Sequence, residues 1–233
     1  MKSKLLYFLM SLLVVGSFWS CDDDSTEGMT RITYYAQMTL NGDDVVYVNL
    51  GDSYNEEGCV ALINGQDVSE NIEISSNVNT SKVGIYTVTY TVLNEDGFPA
   101  NAQRQVFVID PTSIATLYWG ESMSGARHYY NAPIYITDNG DGTYHVDDLM
   151  GGFQFYGLNP GFEPTYDFHA EADFKINDDN TVTQVGETGN WYFAASAGVA
   201  LKDGTFDPAT RTFNFSVSYG SGTLTVILVA ISK

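Results

Sequence analysis

The sequence has few basic residues and few stretches rich in Lys, Arg or Ala. Lys and Arg number 10 against 29 Asp and Glu, so the 233-residue chain carries a formal net charge of −19. A chain this acidic repels phosphate backbones, and we expect no nucleic-acid partner. The 22 Gly, 16 Tyr and 13 Phe favour strands and turns over helices. With 44% hydrophobic residues, wholesale disorder is not expected.

The apolar run near the N-terminus is too short to anchor the chain in a membrane. Residues 5–18 form an uncharged run of 14 residues behind two lysines, and this length is typical of a signal-peptide core. The run leads to Ser20-Cys21, a small residue before a cysteine, which resembles the lipobox of bacterial lipoproteins. The resemblance implies a signal peptide at 1–20 and a lipid on Cys21. The alternative is an ordinary Cys21 behind a cleavable leader.

An acidic tether over residues 21–32 begins with Asp22-Asp23-Asp24-Ser25-Thr26-Glu27. By composition alone it is a solvated spacer. It also resembles the export signal of Bacteroidetes-type surface lipoproteins. That resemblance implies a protein held on the outer membrane by its lipid anchor only and facing the extracellular side. A lipid on Cys21 leaves Cys59 without a disulfide partner in the chain, and we expect Cys59 to be a buried structural thiol.

Residues 33–110 are predicted to form a small all-β domain. Between 86 and 92, threonine alternates with tyrosine and valine, the period expected of a strand with one buried face. Turn signals such as Asn64-Gly65 and Glu95-Asp96-Gly97 separate the strands. Several segments together resemble the bacterial Ig-like domain also found in pesticidal crystal proteins. They are Met38-Thr39-Leu40-Asn41-Gly42, Gly51-Asp52-Ser53-Tyr54, Glu57-Gly58-Cys59, Gly65-Gln66-Asp67-Val68, Gly84-Ile85-Tyr86-Thr87-Val88-Thr89-Tyr90 and Arg104-Gln105-Val106-Phe107-Val108. The resemblance implies an Ig-like β-sandwich that works as a spacer or adhesion module.

A predicted hinge at 111–114 leads into a second antiparallel β domain at 115–233. Pro111 ends the preceding strand, and hairpin signals recur at 138–142, 177–180 and 207–210. The last strand, 224–231, is apolar on both faces and is predicted to be central or barrel-closing. The pattern leaves a sandwich and a lipocalin-like barrel as alternatives.

The second domain also resembles the C-terminal β domains of uncharacterised lipoproteins. The similar segments are 142–153, 178–182 and 204–212. Those lipoproteins are typically encoded in polysaccharide-utilisation loci, beside outer-membrane transporters of the starch-utilisation type. The resemblance implies a surface lipoprotein of such a locus.

Motifs for catalysis, metals or cofactors are weak, and we expect no enzyme activity, metal or cofactor. Ser122 lies in a near match to a nucleophile elbow but is expected in a loop without an α/β scaffold. His169 and Glu171 would share one face of a strand and need a third ligand to hold a metal. The loop 138–142 fits an acidic hairpin turn better than a calcium loop.

Aromatic residues of the second domain are the best candidates for a binding site. Sugars pack their C–H faces on aromatic rings, so exposed rings beside polar groups predict a glycan surface. We expect most rings to lie in the core and two or three to be exposed, with the loop 151–162 as the best candidate. The candidate ligand-binding residues are Trp119, Phe153, Phe155, Tyr156, Phe162 and Trp191.

The sequence therefore predicts a surface lipoprotein that binds a polysaccharide or oligosaccharide for uptake without catalysis. The alternative is a structural or protein-interaction module that docks on an outer-membrane transporter or a neighbouring lipoprotein. A flat exposed apolar patch would favour that alternative. A hydrolase would need a cleft with converging carboxylates, one of them with a raised pKa.

Overall fold

The computed structural model describes residues 32–162, 166–189 and 198–233, and these residues fold almost entirely as β-strands. The strands before Pro111 are β1 (Gln37–Leu40), β2 (Val45–Asn49), β3 (Cys59–Ile63), β4 (Gln66–Asp67), β5 (Glu73–Ser76), β6 (Gly84–Leu93) and β7 (Pro99–Ile109). Those after it are β8 (Leu117–Ser124), β9 (Arg127–Asp138), β10 (Tyr144–Val146), β11 (Glu171–Ile176), β12 (Val182–Gly189), β13 (Val199–Asp207), β14 (Thr212–Tyr219) and β15 (Gly222–Ala230). Within the same ranges, the helical segments are a 3-10 turn at Ser69–Asn71 and a π-helical turn at Phe153–Leu158. None is long and apolar enough to cross a membrane.

The first half is a two-sheet sandwich, as predicted. One sheet has the order β1-β3-β4, and the other has the order β2-β7-β6-β5 with β2 parallel to β7. The alternation predicted for 86–92 is confirmed, because Val88, Tyr90 and Val92 are buried while the threonines between them are not. Cys59 is partly buried at the edge of this core, rather than fully buried as predicted, and burial raises the pKa of its thiol.

The second half is one antiparallel sheet of eight strands that nearly closes into a barrel. Its order is β12-β11-β10-β9-β8-β15-β14-β13, so the predicted central position of the last strand is confirmed. The two end strands meet at a bridge between Thr181 and Thr205. Side chains continue this seam, since Gln184 Oε1 accepts a hydrogen bond from the Leu201 amide and Thr188 donates one to the Val199 carbonyl. Of the two alternatives left by the sequence, the structure has the near-barrel.

Aromatic rings fill the inside of this barrel. Phe213 of β14 is fully buried and lies 5.4–5.5 Å, centroid to centroid, from Tyr118 of β8, Phe174 of β11 and Phe215 of its own strand. Leu224, Val226 and Leu228, at every second position of β15, add their aliphatic side chains to the same cluster. An interior packed in this way stabilises the domain by burying large apolar surfaces.

The two halves are joined by a small apolar core and by one arginine. Phe107 of β7 packs on Trp119 of β8 with ring centroids 5.5 Å apart, and Ile109, Leu117 and Ile231 are buried in the same cluster. Burial of these side chains ties the last strand of the sandwich to the outer face of the barrel.

Arg211 holds the connecting segment in place. It projects from the turn between β13 and β14, and its guanidinium donates hydrogen bonds to the carbonyl oxygens of Asp110, Pro111 and Ser113. The amide of Asp110 also donates to Thr116 Oγ1 at 2.8 Å. The boundaries of the two domains and the hinge at 111–114 stay predictions, but the carbonyls of the connecting segment are bound by a distant part of the chain.

An ion pair of one buried and one partly buried side chain organises the loops of the sandwich. Arg104 is 1% exposed and pairs with Glu56, while its remaining N–H groups donate to the carbonyls of Asp43 and Asn41. Two tyrosine hydroxyls, from Tyr54 and Tyr90, donate to the same carboxylate. Every polar group of this cluster has a partner, which is the condition under which a buried charge is tolerated.

Removal of the Arg104 side chain should therefore lower the stability of the sandwich. We expect Arg104→Ala to lower the free energy of unfolding by about 3 kcal/mol, because it leaves the partly buried Glu56 carboxylate without its counter-charge. Urea unfolding followed by tyrosine fluorescence would measure it. Arg127→Ala, at an exposed arginine of β9, is the control and should change stability by no more than about 0.5 kcal/mol. An equal effect of the two substitutions would contradict the structural role of the pair.

Candidate functional site

Three of the predicted ligand-binding residues lie in apolar cores. Phe153 is fully buried and Phe155 nearly so, and Trp119 packs on Phe107 in the junction between the two halves. Phe153 and Phe155 therefore present almost no ring surface to solvent, and Trp119 is partly buried, so ligand binding by these three residues stays a prediction without an open ring face at Phe153 or Phe155 to support it. Trp191 lies outside the described residues, as do Cys21 and the signal peptide.

Tyr156 and Phe162 are exposed, as predicted, and both belong to one segment. We call this segment, residues 148–170 without 163–165, the aromatic loop. The exposed fractions are 41% for Tyr156 and 50% for Phe162, and Tyr166 adds a third exposed ring at 38%. Tyr166 is not among the residues predicted from the sequence, since nothing in its immediate sequence distinguishes it from a core tyrosine.

Asp148 connects the beginning of the aromatic loop to its end. Its carboxylate is fully buried and accepts backbone hydrogen bonds from Met150 and Gly152 at the start of the loop and from Ala170 at the end. The amide of Leu149, the residue after Asp148, donates a hydrogen bond of 2.8 Å to the Ala170 carbonyl. These four bonds fix the two stems of the loop against each other.

Two glycines allow the chain to turn here against the barrel wall. Gly151 and Gly152 have φ angles of 58° and 83°, a region that other residues rarely adopt. A Cβ atom on Gly152 would lie 2.2 Å from the Cβ of Ala132, and one on Gly151 would lie 2.5 Å from Val226 Cγ1. The backbone therefore runs directly over side chains of β9 and β15.

After this turn, Phe153 plugs one end of the barrel. Its ring centroid lies 5.4 Å from that of Tyr129 and 5.7 Å from that of Tyr219. Gly157, one turn later, lies directly on the Tyr129 ring, because a Cβ atom there would come within 2.4 Å of it. The loop is thus seated on the barrel by one buried aromatic ring and one glycine.

The outer part of the loop carries a pair of exposed aromatic rings. The centroids of Phe162 and Tyr166 are 6.2 Å apart with an interplanar angle of 43°, and each ring lies 6.1 Å from the buried ring of Phe168. We call Phe162 and Tyr166 the aromatic pair. Since Phe168 supports both rings from below, the pair presents an apolar surface to solvent that is anchored in the fold.

His169 lies on the other side of the loop and is part of its packing. Its ring stacks on Phe155 at 4.1 Å with an angle of 24°, and its Nδ1 is 2.8 Å from Asp167 Oδ1. Glu171, considered with it as a metal ligand, lies in β11. Residues 32–162, 166–189 and 198–233 contain no group of three or more His, Cys, Asp or Glu that could hold a metal ion.

The other weak motifs have structural roles. Ser122 lies within β8, so the prediction that it lies in a loop is wrong. Its Oγ is buried with no partner among the described residues. In the loop 138–142, the Asp141 carboxylate accepts hydrogen bonds from the amide and hydroxyl of Thr143. The loop is therefore a hairpin turn between β9 and β10, as the sequence favoured.

The two neighbouring aspartates at the base of the loop have raised pKa values. Burial raises the pKa of Asp147 to about 6, although its carboxylate accepts a hydrogen bond from the Tyr135 amide at 2.9 Å. Burial also raises the pKa of Asp148, against the effect of its three backbone donors. Both carboxylates face backbone N–H groups, so their perturbed pKa values belong to the structure of the loop.

Two family models match this chain. A model described as bacterial surface protein, Ig-like domain, matches residues 38–108, which is the predicted Ig-like segment. A model of a C-terminal domain matches residues 75–230, more than half of the chain. The chain belongs to this C-terminal-domain family. No curated protein matches it.

Solved structures extend the comparison beyond the family models. The lipoprotein BT2262 from Bacteroides thetaiotaomicron is 27% identical, and the match covers 84% of this chain and 100% of that one with a TM-score of 0.58. Two structures of ZmpB from Clostridium perfringens also match at 13% identity. One holds CBM51-2 with GlcNAc and INT domains (85% of this chain, 44% of that one, TM-score 0.28), and the other holds the M60 catalytic domain with CBM51-1 and CBM51-2 (84%, 21%, 0.29). TM-scores this low do not establish a common fold.

For this member of the family, the pKa of Asp147 predicts how stability depends on pH. Its pKa is raised from 3.8 to about 6 in the folded state, so the folded protein binds more protons than the unfolded chain between these values. Its contribution to stability is therefore fully present below about pH 4 and is lost as the pH rises to about 6. At about 1.4 kcal/mol per pKa unit, the loss is at most about 3 kcal/mol.

Asp147→Asn should remove this loss while its amide oxygen still accepts the Tyr135 hydrogen bond. We expect the variant to gain stability relative to the parent protein as the pH rises from 4 to 6, and the difference to stay constant above pH 7. Urea unfolding at half-unit pH intervals would measure it. Asp141→Asn is the control, because hydrogen bonds from Thr143 lower rather than raise the pKa of Asp141. A difference between Asp147→Asn and the parent that does not change with pH would contradict the assignment.

Proposed function

We propose that this chain is a lipid-anchored protein of the bacterial cell surface that binds a polysaccharide or oligosaccharide for uptake without catalysis. The bacterial surface Ig-like match and the similarity to the lipoprotein BT2262 support the surface location. They agree with the lipobox resemblance at Cys21 and with the acidic tether that follows it. Outer-membrane attachment facing the extracellular side is part of the same proposal.

The observation that carries glycan binding is the exposed aromatic pair on its buried support. Sugar rings present C–H groups that pack on aromatic faces, and their hydroxyls need nearby polar groups. Phe162 and Tyr166 supply the aromatic faces. The polar group is the carboxylate of Asp167, the residue after Tyr166, whose side chain is 59% exposed. Because Phe168 and the stems of the loop hold the pair in place, little ordering would be required when a sugar binds.

The filled barrel interior directs binding to this outer surface. In lipocalin-like barrels a ligand enters the barrel, whereas here Phe153 and the ring cluster around Phe213 occupy that space. A ligand of this domain would therefore contact the loop and the outside of the strands. Such an open surface suits a segment of a long chain better than a small enclosed molecule.

A hydrolase is less well supported by the same residues. Asp147, the acid with a pKa of about 6, is next to Asp148 in sequence, but both carboxylates are engaged by backbone amides. A glycosidase needs two carboxylates that flank the scissile bond about 5–10 Å apart. The aromatic pair needs no such arrangement, because it binds without reacting.

Substitution of the aromatic pair tests glycan binding. We expect Phe162→Ala and Tyr166→Ala each to lower the affinity for a bound polysaccharide about tenfold, the loss that corresponds to one stacking contact of about 1–1.5 kcal/mol. Affinity electrophoresis against a polysaccharide panel and titration calorimetry would measure it. The matched control is Phe98→Ala: Phe98 is 48% exposed, and its ring is 5.8 Å from Tyr35 at the same angle of 43°. Equal losses in all three variants, or no retardation of the parent protein by any polymer, would contradict the proposal.

The lipid anchor has a separate test. We expect the mature protein to begin at an acylated Cys21, and Cys21→Ser to abolish incorporation of labelled palmitate and release the protein from the membrane fraction. Mass spectrometry of the mature N-terminus would show the lipid directly. Cys59→Ser is the control, because Cys59 is a core thiol of the sandwich. An unmodified N-terminus on a protein free of membranes would contradict surface anchoring.

A docking role remains the second candidate, and one feature of the sandwich favours it. Leu93 at the end of β6 is 58% exposed and borders a shallow depression lined by Asn71, Glu73 and Thr91. An outer-membrane transporter or a neighbouring lipoprotein could cover this face. A protein that binds no polymer but loses its membrane partner on Leu93→Asp would support docking instead of glycan capture.

A further inference from the structure

Three side chains on the outer face of the barrel form a hydrogen-bonded chain. His128 Nε2 lies 2.5 Å from Glu121 Oε1, and His128 Nδ1 lies 2.6 Å from the hydroxyl of Tyr130. His128 and Tyr130 are two residues apart on β9 and so share a face of the strand, while Glu121 comes from the adjacent strand β8. We call these three residues the outer triad.

The direction of the hydrogen bonds follows from the chemistry of the three groups. An ionised Glu121 carboxylate only accepts, so His128 Nε2 donates to it. In the neutral imidazole the other nitrogen is then an acceptor, and the Tyr130 hydroxyl donates to Nδ1. The hydroxyl oxygen of Tyr130 keeps lone pairs that can accept a hydrogen bond from a ligand.

This arrangement holds an exposed ring in one orientation. The Tyr130 side chain is 59% exposed, yet its ring lies 4.0 Å, centroid to centroid, from the His128 ring and its hydroxyl is hydrogen bonded. An exposed pair such as Glu121 and His128 adds at most about 1 kcal/mol to stability. The triad therefore does little for the fold, while it orients an aromatic face before any ligand arrives.

The outer triad lies at the same end of the barrel as the aromatic loop. Tyr129, the neighbour of Tyr130, points inward, and its ring contacts Phe153 and lies against Gly157 of the loop. Successive side chains of a strand point to opposite faces, so Tyr130 emerges on the outside of the strand at the place where the loop is seated on its inside. A long polymer that leaves the loop could cross the edge of the barrel and meet Tyr130.

We infer that Tyr130, oriented by His128 and Glu121, is a second stacking subsite for a neutral carbohydrate chain; this inference rests on the proposed glycan binding. Neutral sugars fit because the ring supplies an apolar face and the hydroxyl supplies an acceptor. The Glu121 carboxylate and the net charge of −19 disfavour uronic-acid and sulfated polymers by repulsion. Two subsites on one chain of sugars raise the affinity for polymers above that for short oligosaccharides.

The test compares polymers and short oligosaccharides of the same neutral sugars. Dextran, galactomannan and xyloglucan are the neutral probes, and polygalacturonate is the anionic probe, with binding measured by affinity electrophoresis and calorimetry. We expect Tyr130→Ala to weaken polymer binding about tenfold and to leave the binding of two- or three-sugar fragments unchanged. Tyr130→Phe keeps the ring and should lose threefold or less, and Glu121→Gln should lose two- to fivefold. Tyr35→Ala, at another exposed tyrosine, is the control, and thermal melts check that every variant folds.

The outcomes separate this inference from the proposed function. If Phe162→Ala weakens binding and Tyr130→Ala does not, the second subsite is wrong and the loop site stands. If the parent protein binds a polymer and neither substitution affects it, or if it binds none, both are wrong. Tighter binding of polygalacturonate than of every neutral probe would overturn the assigned sugar class. A tenfold loss in Tyr130→Ala with intact binding of short fragments would establish the subsite.

Discussion

Aromatic packing inside the eight-stranded barrel determines where the second domain can act. Phe174, Phe213 and Phe215 pack with centroids 5.4–6.1 Å apart, and Phe153 closes one end of the barrel beside them. Because interiors are as dense as organic crystals, a space filled in this way cannot also admit a ligand. The surface open to any ligand of this domain is that of the loop at the closed end and of the strands around it.

The buried carboxylate of Asp148 links that packing to the loop surface. It binds amides at both stems of the aromatic loop, while Gly151 and Gly152 bring the backbone against the barrel wall. The exposed rings are thus held by a short series of contacts that begins in the core. The same scheme recurs at the outer triad, where two polar side chains orient Tyr130. In both places aromatic surface is exposed on a rigid support.

The sequence predicted the fold well because strand periodicity is a local property. The alternation at 86–92 and the apolar strand at 224–231 both appear as expected. It could not choose between barrel and sandwich, because closure depends on whether β12 and β13, the two end strands of the sheet, meet through Gln184 and Thr188. Alternation within single strands carries no information on that contact. The candidate site was predicted only in part: Tyr156 and Phe162 are exposed, but Phe153 is buried, because only the folded backbone shows which rings of a Gly-rich loop turn inward. Tyr130 carries no sequence signal, since the hydrogen-bonded chain that orients it runs through His128 to Glu121, which lies on another strand.

Arg211 has a mechanical consequence under the proposed attachment of the chain at Cys21. A polymer pulled by flow while bound to the barrel would load the chain, and that load must pass through the segment at 110–113 to reach the anchor. The guanidinium binds three backbone carbonyls of this segment. The contact between the rings of Phe107 and Trp119 also joins the two halves. Several contacts would have to shear together before the halves separated. The joint would therefore transmit tension from the barrel to the sandwich while the two halves stay together.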